Sequence, residues 1–263
     1  MDRKKNRRVW IGSVCFLALI YGIATLDQGY RKPREEDVTA MADIQEKPSL
    51  AQPKIMYLTF DDGPSKHTQE VLDILAKYKI KATFFVTGEN PEYADMITEI
   101  HKQGHALGIH TFSHTYSKLY ANEEAYFEDV QNVAALIKEK AGVDTHFLRF
   151  PGGSSNTVSR KYSEGIMTRL SKAVEAKGYQ YYDWNVHNGD GDPSISSQGL
   201  YKQLMEEVKG KNEAMVLMHD GSGNANTVAS LDDCLQAMIQ QGWTFKTIED
   251  HGDTPIFHHH IAN

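Results

Sequence analysis

Two adjacent carboxylates, Asp61 and Asp62, follow an apolar run at residues 55–60. The run is rich in β-forming residues and uncharged, so it predicts a buried strand, and Gly63-Pro64 then interrupts the chain. Neighbouring carboxylates at a buried strand end repel each other unless a cation or a hydrogen-bond donor lies beside them. On these residues alone, the pair indicates either a functional site or a turn whose aspartates cap the next helix.

A second group of residues that could do chemistry is the histidine pair His110 and His114. Their spacing places two imidazoles on one face of a helical turn or within one tight loop, as metal ligands require. Three later β-rich runs also end in polar residues, within 149–153, 184–190 and 217–220. Each group alone has a structural explanation, since a single histidine at a strand end is more often a satisfied core residue. Five polar groups that all follow predicted strands indicate one catalytic face.

The residue types predict metal-assisted hydrolysis of an acyl group. Two histidines and one carboxylate leave open positions on an ion, as in a catalytic zinc or other first-row metal site. The second carboxylate is then free to act as the base toward a water molecule whose pKa the ion lowers. An arginine would keep that carboxylate ionised, and a histidine across the pocket could protonate a leaving group. An iron oxygenase uses similar ligands, but the second aspartate and the strand-helix alternation argue against it.

Short β-rich runs alternate with segments of helical character from residue 54 onward. The runs lie at 55–60, 82–87, 106–110, 146–150, 180–186, 214–219 and 244–248. The later helical segments lie at about 122–140, 159–177, 197–209 and 227–241. Such alternation in roughly 200 residues favours a barrel over an open sheet. We therefore expect an α/β fold, a (β/α) barrel of about seven parallel strands whose carboxyl ends converge on one face.

The first 26 residues have the pattern of a membrane segment. Five Lys or Arg and one Asp give residues 2–8 a net charge of +4, and 18 uncharged residues follow at 9–26. Basic residues before a long apolar run are typical of an anchor whose N-terminus stays in the cytoplasm. A cleaved signal peptide is the alternative, although the run exceeds the usual apolar core of about 7–15 residues and no clear Ala-x-Ala site follows.

These patterns predict five segments along the chain. They are a cytoplasmic basic tail at 1–8, a transmembrane anchor or signal sequence at 9–26, a linker at 27–53, a catalytic domain at 54–250 and a C-terminal tail at 251–263. The three consecutive histidines at 258–260 are expected to lie in a solvated tail. The expected location is the cell membrane, single-pass with an extracellular catalytic domain, or outside the cell if the first segment is cleaved.

Composition argues against several classes of partner and site. The total charge is −7, so the chain beyond residues 2–8 carries −11, which argues against a nucleic-acid partner. Cys15 lies in the apolar segment and Cys234 lies near the end of the sequence, so topology forbids a disulfide between them. No feature indicates an obligate protein partner.

The chain resembles the polysaccharide deacetylases, carbohydrate esterase family 4, over about residues 54–250. The five ordered motifs of that family match the segments 59–64, 110–114, 149–153, 184–190 and 217–219. The resemblance implies a distorted (β/α) barrel and one divalent metal ion, with zinc expected first and cobalt, nickel or manganese as alternatives. It also implies removal of the N-acetyl group from an amino sugar in a polymer, giving acetate and a free amine.

The resemblance implies catalytic and metal-binding roles for seven residues. Asp61 would be the general base, Arg149 would position it, and Asp190 would hold Arg149 in turn. His219 would be the general acid toward the departing amine. The metal ligands would be Asp62, His110 and His114.

The resemblance also implies residues that contact the substrate. Leu217 would line the pocket for the acetyl methyl, and the backbone N–H of Gly152 would stabilise the oxyanion. The chain departs from the family at Gly152 and Gly191, where aromatic residues commonly wall the sugar cleft. Trp184 either lines the cleft in their place or is a core tryptophan. These departures affect substrate specificity more than the chemistry.

The predicted export indicates a polymer at the cell surface as substrate. Peptidoglycan, attacked at its N-acetylglucosamine units, is the first expectation, and an exported poly-N-acetylglucosamine or a chitin-like oligomer is the alternative. An inactive glycan-binding module is the alternative of another class. The complete set of base, ligands, arginine and acid argues against that module.

Overall fold

The computed structural model describes residues 53–251 and 257–263. The predicted basic tail at 1–8, the predicted membrane segment at 9–26 and nearly all of the predicted linker at 27–53 lie outside these residues. Within the described ranges, no helix is both long and apolar enough to cross a membrane.

The described residues form a parallel sheet of eight strands. The strands are β1 (Lys54–Asp61), β2 (Thr83–Thr87), β3 (Ala106–Thr111), β4 (Phe147–Leu148), β5 (Gln180–Tyr181), β6 (Val186–His187), β7 (Glu213–His219) and β8 (Trp243–Lys246). Seven of them follow the order β5-β4-β3-β2-β1-β7-β6, and β8 pairs with the first half of β1. The sheet curls toward a barrel. The barrel does not close, because among the described residues no ladder joins β5 to β6. The predicted α/β barrel architecture is confirmed.

The run predicted as one strand at 180–186 is two short strands, β5 and β6, and this is why the sheet contains eight strands. The Arg149 side chain explains the break. Its Nε donates to the carbonyl of Tyr182 at 3.0 Å, and its Nη2 donates to the carbonyl of Asp183 at 3.1 Å. Because these carbonyls point at the arginine, they are not used in a strand ladder.

The described residues also form seven α-helices. They are α1 (Thr68–Lys77), α2 (Met96–Lys102), α3 (Tyr116–Leu119), α4 (Glu123–Ala141), α5 (Ile166–Ala176), α6 (Ser197–Glu207) and α7 (Ala225–Gln240). Asn122 caps α4 by accepting a hydrogen bond from Ala125 N at 2.8 Å, and Ser196 caps α6 in the same way. The segment predicted as a helix at 159–177 contains a short 3₁₀ turn, Val158–Lys161, before α5 begins.

Alternation along β1 decides which of its side chains reach the site. Met56, Leu58 and Phe60 belong to the large core cluster that includes apolar residues of the helices. The intervening side chains of Thr59 and Asp61 point the other way, into the interior of the curled sheet, because successive residues of a strand face opposite sides. Both side chains accept hydrogen bonds there from Arg149, which is fully buried.

Candidate active site

Nine of the ten site residues predicted from the sequence line one cavity of about 540 Å³ at the carboxyl end of the sheet. The tenth, Arg149, is fully buried behind Asp61. Strand register explains the convergence, because β1 and β7 place Asp61 directly beside His219. The structure therefore brings together residues that are up to about 160 positions apart in the sequence, as expected for the strand ends of a barrel.

Asp62, His110 and His114 form a three-residue cluster suited to a metal ion. Asp62 Oδ1 lies 3.3 Å from His110 Nε2 and 3.4 Å from His114 Nε2. The candidate ligand atoms of the cluster all lie within 4.8 Å of one another. Asp62 Oδ1 is buried and makes no well-aligned hydrogen bond with the described residues. Such an oxygen is costly without a cation, so the three residues fit a divalent ion with open coordination positions.

The orientation of His110 supports this assignment. Its Nδ1 lies 2.8 Å from the backbone carbonyl of Arg149, an oxygen that can only accept. Nδ1 therefore carries the proton, and Nε2, which faces Asp62, keeps its lone pair for an ion.

The pKa values of the cluster reflect its crowded charges. Burial by itself would raise the pKa of Asp62. The contact with His110 and the charges of the nearby histidines outweigh burial and hold the pKa well below its ordinary value. Burial lowers the pKa of His110, yet the charges of Asp61 and Asp62 raise it above its ordinary value. Burial and the charge of His110 lower the pKa of His114. The two carboxylates thus attract positive charge, which a divalent ion would supply.

A buried carboxylate from α4 holds the loop between the two histidines. Asp129 Oδ1 accepts hydrogen bonds from Thr111 Oγ1 at 2.8 Å and from Phe112 N at 2.6 Å. Its Oδ2 accepts from Ser113 N at 3.1 Å and from Ser113 Oγ at 3.0 Å. These bonds stabilise a loop in which His114 has a φ of 43°, a conformation that a non-glycine residue rarely adopts.

Arg149 contacts Asp61, the candidate base. Its Nη1 lies 2.9 Å from Asp61 Oδ1, and both side chains are buried. The same nitrogen also donates to Thr59 Oγ1, and the guanidinium lies 4.2 Å from the centroid of the Phe85 ring. With the two carbonyls that its other nitrogens reach, the arginine is held on every side.

The predicted contact between Asp190 and Arg149 is wrong. Asp190 Oδ1 instead lies 2.8 Å from His219 Nδ1, and its Oδ2 accepts from His219 N at 2.8 Å and from Thr227 Oγ1 at 2.7 Å. The physical reason is that four of the five N–H donors of Arg149 already reach Asp61, Thr59 and two backbone carbonyls, while Asp190 faces donors of His219 and Thr227. Asp190 thus pairs with the candidate acid instead of the residue that positions the base.

This pairing controls the protonation of His219. Burial lowers the pKa of His219, but the hydrogen bond and charge of Asp190, with smaller contributions from Asp62 and Asp61, raise it to about 9. The imidazole is therefore protonated at neutral pH and can donate a proton from Nε2, since Nδ1 faces Asp190.

The wall of the cavity contains an aromatic residue that the sequence did not indicate. Gly152 has a φ of 77°, and a Cβ there would lie 2.7 Å from the hydroxyl of Tyr116. Tyr116 lines the cavity and packs edge-to-face on His114, with 5.7 Å between ring centroids. Tyr116 and Trp184 therefore provide aromatic walls in a cavity that has glycine at 152 and 191.

The described part of the C-terminal segment contacts the domain, although His258 and His260 are exposed, as a solvated tail predicts. The ring of His258 stacks on Tyr181 with 3.8 Å between centroids. His259 donates from its backbone N to Asp183 Oδ2 at 2.8 Å, and its Nε2 lies 2.7 Å from the Trp184 carbonyl. The buried carboxylate of Asp183 requires donors, and this segment supplies one of them.

Four supporting residues were missed in the sequence: Thr59, Asp129, Asp183 and His259. Asp129 could have been found from its position, because it lies on the helix face that also carries Tyr126, Val130 and Val133, all buried. A carboxylate on an apolar helix face needs buried donors, and the histidine loop supplies them. The other three show no comparable pattern.

Comparisons with known proteins agree with the geometry. The sequence profile of a family described as polysaccharide deacetylase matches residues 50–169. The crystal structure of the catalytic domain of peptidoglycan N-acetylglucosamine deacetylase from Eubacterium rectale is 44% identical, covers 80% of this chain and 94% of that chain, and has a TM-score of 0.76.

Two curated relatives differ in the sugar that their names state. A peptidoglycan-N-acetylglucosamine deacetylase of Bacillus cereus is 28% identical over 85% of this chain and 83% of its own length. The peptidoglycan-N-acetylmuramic acid deacetylase PdaA of Bacillus subtilis is 28% identical over 75% of this chain and 71% of its own length.

Proposed function

Because the chain belongs to the polysaccharide deacetylase family, we propose that it is a metal-dependent hydrolase acting on a cell-surface polysaccharide. It removes N-acetyl groups from N-acetylglucosamine units, and peptidoglycan is the first proposed substrate. One observation carries the proposal: the adjacent carboxylates at the end of β1 have different partners. Asp61 contacts Arg149, whereas Asp62 faces His110 and His114.

We assign one divalent ion, zinc in the first instance, to Asp62, His110 and His114. Cobalt, nickel or manganese would suit the same nitrogen and oxygen ligands. When bound, the ion lowers the pKa of a water molecule and polarises the amide carbonyl of the substrate. The support is the buried Asp62 oxygen that faces two imidazole nitrogens.

The residues around the ion divide the proton transfers between them. Asp61, oriented by Arg149, accepts a proton from the attacking water. His219, protonated through its contact with Asp190, donates a proton to the departing nitrogen, so the products are acetate and a free amine. The backbone N–H of Gly152 donates a hydrogen bond to the developing oxyanion. Leu217 contacts the acetyl methyl, and Trp184 contacts the sugar.

The character of the cavity supports an uncharged acetamido sugar as the substrate. Among the described residues that line it there is no Lys or Arg side chain, whereas Asp61, Asp62 and Asp190 all line it. A lactyl carboxylate, as in N-acetylmuramic acid, would find no Lys or Arg in the protein wall, and the protonated His219 there is already paired with Asp190. N-acetylglucosamine brings no such charge.

We also propose that the catalytic domain is tethered at the cell surface. Residues 9–26 would anchor the chain, or be cleaved as a signal sequence, and residues 27–53 would link the anchor to the domain. A coil of this length spans on the order of 30 Å. The domain would then act on the adjacent wall.

The experiment is acetate release by the purified protein from peptidoglycan and from N-acetylglucosamine oligomers. It is run after chelation and again after each metal is added back. Metal-restored release from peptidoglycan is the expected result. Release only from the oligomers would move the substrate to an exported poly-N-acetylglucosamine or chitin-like polymer, and no release from either would leave a glycan-binding module.

A further inference from the structure

A second cavity, of about 290 Å³, adjoins the catalytic one. The second cavity adds His187 and Gly189, and the two cavities share Trp184, Asp190, Gly191, Leu217 and His219. None of the three candidate metal ligands lines it, nor does the candidate base. We call this second cavity the acyl cleft, and it extends from the catalytic cavity on the side of the candidate acid.

The acyl cleft is open because residue 191 has no side chain. A Cβ at Gly191 would meet no heavy atom within 4 Å, and its φ lies outside the left-handed region. Gly189 differs, since its φ is 90° and a Cβ there would lie 2.3 Å from Gln203 Oε1. The backbone therefore requires glycine at 189 but not at 191, where glycine leaves space for a ligand.

The walls of the cleft combine apolar side chains, Leu217 and Trp184, which suit a short alkyl chain, with the polar groups of His187, Asp190 and His219. Leu217 of β7 lies in register with His187 of β6, and the indole of Trp184 forms another part of the lining. Gln203 Nε2 lies 3.1 Å from His187 Nδ1. Because an amide nitrogen donates, Nδ1 accepts, and Nε2–H remains as the donor of the His187 ring.

The direction of the amide in the catalytic cavity connects these observations. Base and acid must both reach the amide group, so its carbonyl carbon lies between Asp61 and His219, which are adjacent in register. Leu217 is two residues before His219 on the same strand and lines both cavities. The alkyl group of the acyl substituent, directed at Leu217, therefore points toward the acyl cleft.

We propose that the acyl cleft binds N-acyl groups longer than acetyl, so that the enzyme also removes propionyl and butyryl groups from N-acylated glucosamine. This inference rests on the proposed function. The reaction consumes one water: the amide C–N bond breaks, a C–O bond forms, and the nitrogen gains a proton from His219. The products are a carboxylate and an amine, and no further reactant is needed.

The test compares oligomers of glucosamine that carry N-acetyl, N-propionyl or N-butyryl groups, with the full chain loaded with zinc. Each further buried CH₂ favours binding by roughly fourfold, so kcat/KM for the longer groups is expected to equal or exceed that for acetyl. A pocket that accepts only a methyl would reject one extra CH₂ by about 10- to 200-fold, and that result would overturn the inference.

Two variants locate the effect. Gly191→Trp fills the cleft and is expected to lower the ratio of butyryl to acetyl hydrolysis by at least about tenfold. Gly223→Trp is the control, because Gly223 also lines the catalytic cavity and has open space at Cβ, but it does not line the cleft. Its ratio is expected to stay at the wild-type value. An unchanged ratio in Gly191→Trp would contradict the assignment of the cleft.

These outcomes separate the inference from the proposed function. Release of acetate without propionate or butyrate overturns the acyl cleft alone and leaves the deacetylase intact. Absence of release from all three oligomers and from peptidoglycan overturns the proposed function, and the acyl cleft with it.

Discussion

His219 Nδ1 lies 2.8 Å from Asp190 Oδ1, and the same carboxylate also accepts a hydrogen bond from the backbone N of His219. One carboxylate thus fixes both the ring and the main chain of the candidate acid. Thr227 Oγ1 holds its second oxygen at 2.7 Å. The contact joins the loop after β6 to the end of β7 and makes the histidine a cation at neutral pH.

The first prediction concerns the pH dependence of catalysis. His219 must be protonated to act as the acid, and its pKa is raised to about 9, so kcat/KM should fall as pH rises through that value. A bound cation would offset the contributions of Asp61 and Asp62 to the pKa of His219. The alkaline limb of the kcat/KM profile should therefore lie at or below about pH 9. Asp190→Asn should move the alkaline limb down by about one unit or more.

A pH profile of kcat/KM for the wild type and Asp190→Asn checks this. Thr227→Val is the control, because it removes a hydrogen bond from Asp190 but no charge. An alkaline limb that stays in place in Asp190→Asn would remove the assigned role of the pair.

The second prediction concerns the loop between the two histidines. Asp129→Asn replaces Oδ2, which accepts two hydrogen bonds from Ser113, by a donor. The loop loses that support, so zinc affinity should fall by about 10- to 100-fold, as for other groups that orient metal ligands. Competition with a chromophoric chelator measures the affinity. Glu128→Gln, at the exposed neighbouring position of α4, should bind zinc as the wild type does.

The third prediction concerns the buried ion pair. Arg149→Met leaves the Asp61 carboxylate buried without its cation, so the free energy of unfolding should fall by about 3–5 kcal/mol. Arg169→Met is the comparison, because the pair of Arg169 with Glu123 is almost half exposed and contributes about 1 kcal/mol or less. Denaturant unfolding of both variants tests the difference. Equal losses in the two would show that burial does not govern the effect.

The fourth prediction concerns the C-terminal segment. His259→Ala removes the ring that contacts the Trp184 carbonyl and packs edge-to-face on its indole, with 4.8 Å between centroids. Trp184 lines the cavity, so KM for an oligomer should rise by about 3- to 10-fold, with a smaller change in kcat. Steady-state kinetics separates the two parameters. His260→Ala, at an exposed position, should leave both unchanged.

The sequence predicted the residues at the strand ends because parallel strands bring those ends together. Asp61, Asp62 and His219 follow directly from two apolar runs, and the spacing of His110 and His114 indicates ligands without any tertiary information. The partner of Asp190 could not be predicted in this way. It depends on how the loop after β6 folds over β7, and that is decided by donors such as Thr227 on α7.

Other features depend on contacts between distant segments. The break between β5 and β6 arises because Arg149 uses the carbonyls of Tyr182 and Asp183, which no local propensity encodes. The docking of residues 257–263 arises because the buried Asp183 needs donors. Local patterns specify strands and helices, whereas buried polar groups determine which segments meet.

The central claim is that adjacent Asp61 and Asp62 have separate tasks, and one paired measurement tests it most directly. Bound zinc and acetate release are measured on the same preparations of wild type, Asp61→Asn and His110→Ala. Asp61→Asn should keep one zinc per chain and lose at least about 100-fold in kcat, because only the base is removed. His110→Ala should lose both zinc and activity. Full activity in Asp61→Asn, or loss of its zinc, would contradict this division of tasks.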